Sequence, residues 1–199
     1  SKSREQDGYI CLKETLFYKE GGGQPADHGE ITWNGKEAEV VDVQKEHGEI
    51  RHYVQGEEFP EPGQEVHGEI NWERRYNHMR MHTAQHVVSL VVLEVFGAST
   101  VGNQIHADRS RIDFKPVELT DDELGKIETN VNSMIAEGHN VEKKMMDRDR
   151  IEGLVEEGRT NMELITDSVD PLRVVMFADD VCPCGGTHVS NLDEIGEFK

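Results

Sequence analysis

Two short motifs far apart in the chain, His82-Thr83-Ala84-Gln85-His86 and Cys184-Gly185-Gly186-Thr187-His188, each set two metal-binding side chains four positions apart. Neutral imidazole and thiolate both ligate zinc well, and two bidentate arms complete a tetrahedron. The four-residue step of the first motif is about one helical turn, so both rings lie on one face of a helix. In the second motif two glycines let the backbone turn sharply and aim both side chains the same way. Closing such a site requires a fold that carries residue 82 to residue 188. Taken singly, each motif also fits a bland role, a solvated histidine pair or a glycine turn with a buried thiol. The first is not the helical protease motif, because Thr83 stands where a general-base glutamate would follow the first histidine. Cys182 competes as a ligand, but Pro183 restricts its backbone, which favours Cys184.

The pattern around these motifs predicts an α+β chain in two parts. Short alternating runs at Tyr9–Leu12, Gly29–Trp33, Ala38–Val43 and Ile50–Val54 are punctuated by Asn34-Gly35 and His47-Gly48. A turn at Pro60–Gly63 and one more strand, Glu65–Ile70, follow. Strands this short and close predict a small N-terminal β-barrel. From Trp72 to Phe96 the period becomes helical, with Met79, His82, His86 or Val87, Leu90 and Leu93 at helical spacing and Gly97 as the stop. Then come a strand over Ile105–Phe114, a helix from the Thr120–Glu123 capping box to Glu137 closed by Gly138, and a strand over Val141–Met146. A weaker helix over Ile151–Glu157 precedes a buried strand, Leu172–Phe177, that runs into the cysteine motif. Gly196–Lys199 reads as the start of a strand, and both ends read as trimmed. The expected division is residues 1–70 as the barrel and residues 71–199 as a zinc-binding domain of antiparallel sheet and helices.

Charge narrows the partners. Forty acidic residues against 21 basic ones give a net charge of −19, and only 35% of the 199 residues are hydrophobic. Such a surface repels phosphate at long range. The excess is spread along the chain, which suits adaptation to high salt better than an acidic tail. Arg74, Arg75 and Arg80 before the histidine pair, with Arg109, Arg111 and Lys115 after it, predict a local positive patch. The three cysteines, Cys11, Cys182 and Cys184, are odd in number and two are nearly adjacent, which argues against a disulfide framework, and a reduced, cytoplasmic protein is expected. The sequence shows no signal peptide, transmembrane run or lipidation motif. His28, His47, His52, His67 and His139 sit in polar turns or strands and are assigned no role. Neither are His78 and His106, which lie nearer the site in sequence.

A third motif, Leu16-Phe17-Tyr18-Lys19-Glu20-Gly21-Gly22-Gly23-Gln24-Pro25, packs aromatics against a glycine run. Glycines expose backbone N–H groups and admit a ligand closely, and Gln24 adds an amide that donates and accepts. No Lys-Ser or Lys-Thr follows, so it is not a phosphate loop. The three motifs, in this order and spacing, resemble the alanyl-tRNA editing proteins: the stand-alone AlaX family, its medium-length class, and the editing domain of alanyl-tRNA synthetase. The resemblance runs from about Leu16 to Gly196. It implies a zinc ion held by His82, His86, Cys184 and His188, and a small barrel followed by an α+β domain shared with threonyl-tRNA synthetase. It also implies ATP-independent hydrolysis, in trans, of tRNA(Ala) wrongly charged with serine or, in some members, glycine. The implied partner is the tRNA(Ala) acceptor end, with no membrane; nothing in the sequence fixes an oligomeric state or a catalytic base. Because alanine is smaller than serine, such a site must reward the serine hydroxyl. Thr15, Gly22, Gly23 and Gln24 of the motif, and Asn103 ahead of the Ile105–Phe114 strand, are the candidate substrate-binding residues. Three other readings stay open: an editing fragment of a full-length synthetase, a non-catalytic zinc-stabilised tRNA-binding module, and a metal-dependent hydrolase of another ester or amide.

Overall fold

The computed structural model describes residues 8–106, 108–155, 159–160, 165 and 170–199. The chain divides into two compact units, Ser1–Asn77 and His78–Lys199. In the first, five strands form one antiparallel sheet in the order β1-β4-β3-β2-β5: β1 Gly8–Cys11, β2 Gly29–Trp33, β3 Lys36–Glu46, β4 Glu49–Gln55 and β5 His67–Ile70. Two-residue turns join β2 to β3 and β3 to β4. Asn34 and Gly35 take φ of 46° and 76°, His47 and Gly48 51° and 85°, the paired positive values that match the twist of a hairpin. The inward face buries Ile31, Trp33, Ala38, Val40, Val43 and Val54 with Phe17 and Ala26 from the β1–β2 connection. The edge strands have four residues each, and no ladder joins β1 to β5 among the described residues, so where a barrel is expected the pairing is that of an open sheet.

Phe17 fixes how that sheet is sealed. Gly29 pairs with Ile70, and Ile31 with Gly68. The Phe17 ring lies across both glycines: a Cβ added to Gly29 would stand 2.9 Å from the ring and 2.8 Å from the Ile70 Cα, and would collide with the Glu69 carbonyl oxygen. At Gly68 it would stand 3.0 Å from the ring. The absent side chains are the space the aromatic occupies.

The helix α1, Trp72–Phe96, spans the range its period predicts and stops at Gly97, φ 64°. Every residue from His82 to Leu93 is buried, so in the second unit this helix is covered all round rather than along one stripe. A hairpin follows, β6 Ser99–Ile105 and β7 Ser110–Lys115. The single strand expected over Ile105–Phe114 is thus a turn and a strand, because the polar segment from His106 folds back with His106 N–H donating to Arg109 O at 2.8 Å. The helix α2, Asp121–Glu137, opens on the predicted capping box and closes on Gly138 at φ 67°, burying Ile127, Val131 and Ile135 at four-residue steps. A three-stranded antiparallel sheet, order β10-β9-β8, is built from β8 Glu142–Met146, β9 Leu172–Phe177 and β10 Asp180–Pro183. The short α3, Arg148–Glu152, begins before the predicted Ile151 and ends at Gly153; the 156–157 end of that prediction lies outside the described residues. At the other end, Gly196–Lys199 forms no strand. The Asn132 side chain on α2 takes both backbone groups of Phe198, at 2.8 and 2.9 Å, as a neighbouring strand would.

Gly29→Ala should destabilise the protein by about 1–3 kcal/mol through overpacking, read as a lower denaturant midpoint at unchanged slope.

Candidate metal centre

One helix and one loop meet in the second unit. His82 and His86 lie one turn apart on α1, their ring centroids separated by 5.2 Å, and the His188 ring stands 4.3 Å from the first and 4.7 Å from the second. Cys184 Sγ lies 3.5 Å from His82 Nε2 and 3.3 Å from His188 Nε2. One ligand atom from each of the four residues falls within 4.8 Å of all the others. Tetrahedral zinc with ordinary Zn–S and Zn–N bonds has ligand–ligand edges of about 3.3–3.6 Å. The two sulfur–nitrogen separations match that while the full set spans up to 4.8 Å, so the donors fit zinc in chemistry and would close on the ion with small side-chain shifts.

The loop reaches the helix by a hairpin that the sequence pattern hides. Rather than running straight from β9 into the motif, the chain turns at Ala178-Asp179, with Ala178 at φ 47°, and returns along β10. Cys184 follows at once, its N–H donating to Arg173 O at 3.0 Å. The Arg173 guanidinium, from β9, donates to the carbonyls of Cys184 and Gly186 at 2.7 and 2.8 Å, pinning the turn on both sides of Gly185. The Gly186 N–H points at Cys184 Sγ, 3.4 Å away. Lys143 Nζ holds Val189 O at 2.8 Å beyond the motif.

Thr83, where a protease helix would carry glutamate, has a hydroxyl with three partners. It donates to Met79 O at 2.8 Å, as a helical threonine does, and so has no second proton to give. Its two remaining positions accept, one from the Val189 N–H at 3.3 Å and one from His188 Nδ1 at 3.1 Å. Nδ1 of His188 must therefore carry the ring proton, which leaves Nε2, the atom facing Cys184, as a bare lone pair. Metal-ligating imidazoles are commonly held by such a second contact.

Burial sets the charge states. It pushes His82 down to about 4, with Arg173 adding to the effect, and it holds His86 and His188 well below the usual imidazole range. All three rings are neutral near pH 7 and offer lone pairs. Burial also pushes the Cys184 thiol up to about 11, against the Gly186 N–H that favours thiolate. A bound dication would displace that proton. Behind the site, Arg159 and Asp180 form an almost wholly buried bidentate pair, 2.8 and 2.7 Å, and Arg159 also donates to His86 O at 3.2 Å. Sequence reasoning missed Arg159, Asp180 and Arg173, whose partners are distant in sequence; Thr83 stood in the open, inside the motif. Cys182, the competing thiol, is turned elsewhere, 3.4 Å from Thr160 Oγ1.

The other candidate residues fall as follows. Thr15 Oγ1 lies 2.8 Å from His52 Nε2. Gly22 and Gly23, at φ 60° and 80°, form a tight two-residue turn closed by mutual Gly21 and Gln24 backbone bonds, so the Gly21 and Gln24 N–H groups are spent inside it. The Gln24 side chain is fully buried. Asn103 sits half-buried on β6 opposite Ile112. His52 and His78, assigned no role, are both fully buried. Three of the six residues expected to form a basic patch are braces instead. Arg74 donates to Ala26 O, Arg75 pairs with buried Asp27 and donates to Leu16 O, and Arg80 donates twice to Ile195 O. Arg111 pairs with Asp113, while Arg109 and Lys115 are exposed.

The family described as tRNA synthetases class II (A) matches residues 1–74, and the threonyl and alanyl tRNA synthetase second additional domain matches residues 172–199. The alanyl-tRNA editing protein AlaX-M of Methanosarcina barkeri is 36% identical over 199 residues, covering 97% of this chain and 82% of that protein. The chain belongs to the AlaX-M family of alanyl-tRNA editing proteins. The AlaX-M protein of Methanosarcina acetivorans matches equally well, 36% over 201 residues. The alanine–tRNA ligase of Pyrobaculum neutrophilum is 39% identical over 202 residues, which is 96% of this chain and 22% of that enzyme. In this member of the AlaX-M family, no helix among the described residues is long and apolar enough to cross a membrane.

Thr83→Val keeps the shape and removes the acceptor that fixes His188. Zinc affinity, measured by chelator competition, should fall by about 10–100-fold; an unchanged affinity would contradict the assignment of the Nδ1 proton.

Proposed function

We propose that the chain is a zinc-dependent hydrolase that acts in trans on tRNA(Ala) mischarged with serine, breaking the ester between serine and the terminal ribose. The observation that supports this most is the convergence of three neutral imidazoles and one thiol from two distant segments of a chain in the AlaX-M family. His82, His86, Cys184 and His188 would hold the ion. Four protein ligands close the tetrahedron, so bound zinc would organise the pocket, or would act as a Lewis acid on the ester or its water where one ligand gives way or the coordination expands. The chain's own residues do the positioning: Thr83 fixes the ring of His188, and Arg173 fixes the turn that carries Cys184. An aminoacyl ester is already activated, so orienting it beside a water removes much of the barrier.

Selectivity falls to polar groups that alanine cannot satisfy, with Thr15, Gly22, Gly23, Gln24 and Asn103 as the substrate-binding set. The partner is the acceptor end of tRNA(Ala). With a net charge of −19 and three arginines tied to internal groups, recognition rests on fit more than on phosphate neutralisation. The same reading puts the work in the cytoplasm. It takes residues 1–70 as the β-sheet module bearing the glycine motif, and residues 71–199 as the editing domain.

The test is deacylation of seryl-tRNA(Ala) and alanyl-tRNA(Ala). The protein should release serine and spare alanine, and Cys184→Ala should lower serine release by about a hundredfold or more. Binding of tRNA without release would favour a non-catalytic module. Full activity in a zinc-free Cys184→Ala protein would remove the metal from the chemistry.

A further inference from the structure

The four side chains of the centre are not held alike. His188 rests Nδ1 on Thr83 Oγ1 at 3.1 Å and turns Nε2 to Cys184, 3.3 Å away. Cys184 Sγ has the Gly186 N–H at 3.4 Å and His82 Nε2 at 3.5 Å. His86 differs. It is 4% exposed, and among the described residues its Nδ1 is the one buried ring nitrogen of the three histidines without a hydrogen-bond partner. What is anchored is its backbone: Arg159 donates to His86 O at 3.2 Å, and Asp180 holds Arg159 by two bonds. His86 is thus fixed at its carbonyl and unsecured at its ring.

His82 lies one turn earlier on the same helix face and directs Nε2 to the sulfur. The matching donor of His86 is its own Nε2, which places the ring proton on Nδ1. A ligating imidazole ordinarily gives that proton to a carboxylate, a carbonyl or a water, which fixes the ring and strengthens it as a base. Here the N–H meets no acceptor and, being buried, no solvent. Binding a metal through this ring carries a penalty that His188, with Thr83 behind it, avoids. Buried polar groups without a partner are uncommon in native proteins, and this one falls on a ligand, where it weakens one bond of four.

We propose that His86 is the yielding ligand of the centre, its ring withdrawing to leave a position open to an oxygen of the aminoacyl ester or of water. This rests on the zinc reading given above. The nitrogen leaves with its lone pair and the oxygen brings one, so no electron or proton is transferred. Four protein donors make the closed arrangement of structural zinc sites; three with one open place make that of catalytic ones. His82, Cys184 and His188 are the three that stay, and the Arg159 bond to the carbonyl keeps the helix in place while the ring of His86 moves.

Two measurements test it. The first is zinc affinity of the full chain by chelator competition. His82→Ala and His188→Ala should each lose at least about tenfold more than His86→Ala, the range over which the contacts behind a ligand act. A loss at His86 equal to or larger than the other two overturns the proposal. The second needs no variant: 15N NMR of the zinc-loaded wild-type protein with labelled histidines. All three rings should be on the metal at rest. Saturation with 3′-serylamino-3′-deoxyadenosine, an amide that resembles the charged end of the tRNA and resists hydrolysis, should return His86 Nε2 to the metal-free range while His82 and His188 stay bound. Three rings that stay on the metal, release of a different ring, or attachment of His86 through Nδ1 overturns the proposal. A wild-type chain that takes up no zinc overturns the metal reading on which the proposal stands, a result distinct from any of these.

Discussion

Burying α1 on every side through His82–Leu93 is the constraint from which the site follows. A helix wrapped this fully would ordinarily be apolar throughout, yet this one carries two imidazoles, the Thr83 and Ser89 hydroxyls and the Gln85 amide into the interior. Polar groups in that position are costly unless each finds a partner. The loop Cys184–His188 brings the partners: a third imidazole, a thiol, and the Val189 N–H for Thr83. Arg159 reaches the carbonyl of His86 from the opposite direction, itself neutralised by Asp180. The polar atoms of the helix thus gather the loop and its supports around them, and the result is a compact set of four metal-binding side chains.

The parts of this arrangement that were legible in the sequence are those with a local period. Histidines four apart on a helix, a capping box at Thr120, a glycine stop at Gly97 and Gly138, and positive-φ pairs at Asn34-Gly35 and His47-Gly48 all act within a turn or two of themselves. What stayed hidden acts across long separations. Arg173 hardly differs on paper from any strand arginine, and only the return of the chain along β10 gives it the carbonyls of Cys184 and Gly186. Asn132 looks like a helix-surface residue until Phe198 lies beside it. The basic patch loses three of its six members for a related reason. Residues near the histidines in sequence were taken as near in surface, but Arg75 is paired with Asp27 and the Arg80 guanidinium is turned to the carbonyl of Ile195.

In the first unit the glycine motif proves less like an open cradle than like a packed corner. Phe17 fills the space left by Gly29 and Gly68, Gly22-Gly23 makes a tight turn, and Asp27 bonds the Tyr18 backbone while pairing with Arg75.

The account stands most directly on the ligand set, and X-ray absorption at the zinc edge of the metal-loaded protein tests it. The arrangement predicts one sulfur at about 2.3 Å and three nitrogens at about 2.0–2.1 Å. A shell of nitrogen and oxygen with no sulfur would contradict it, because Cys184 would then lie outside the centre that its turn, Arg173 and the Gly186 N–H are arranged to serve.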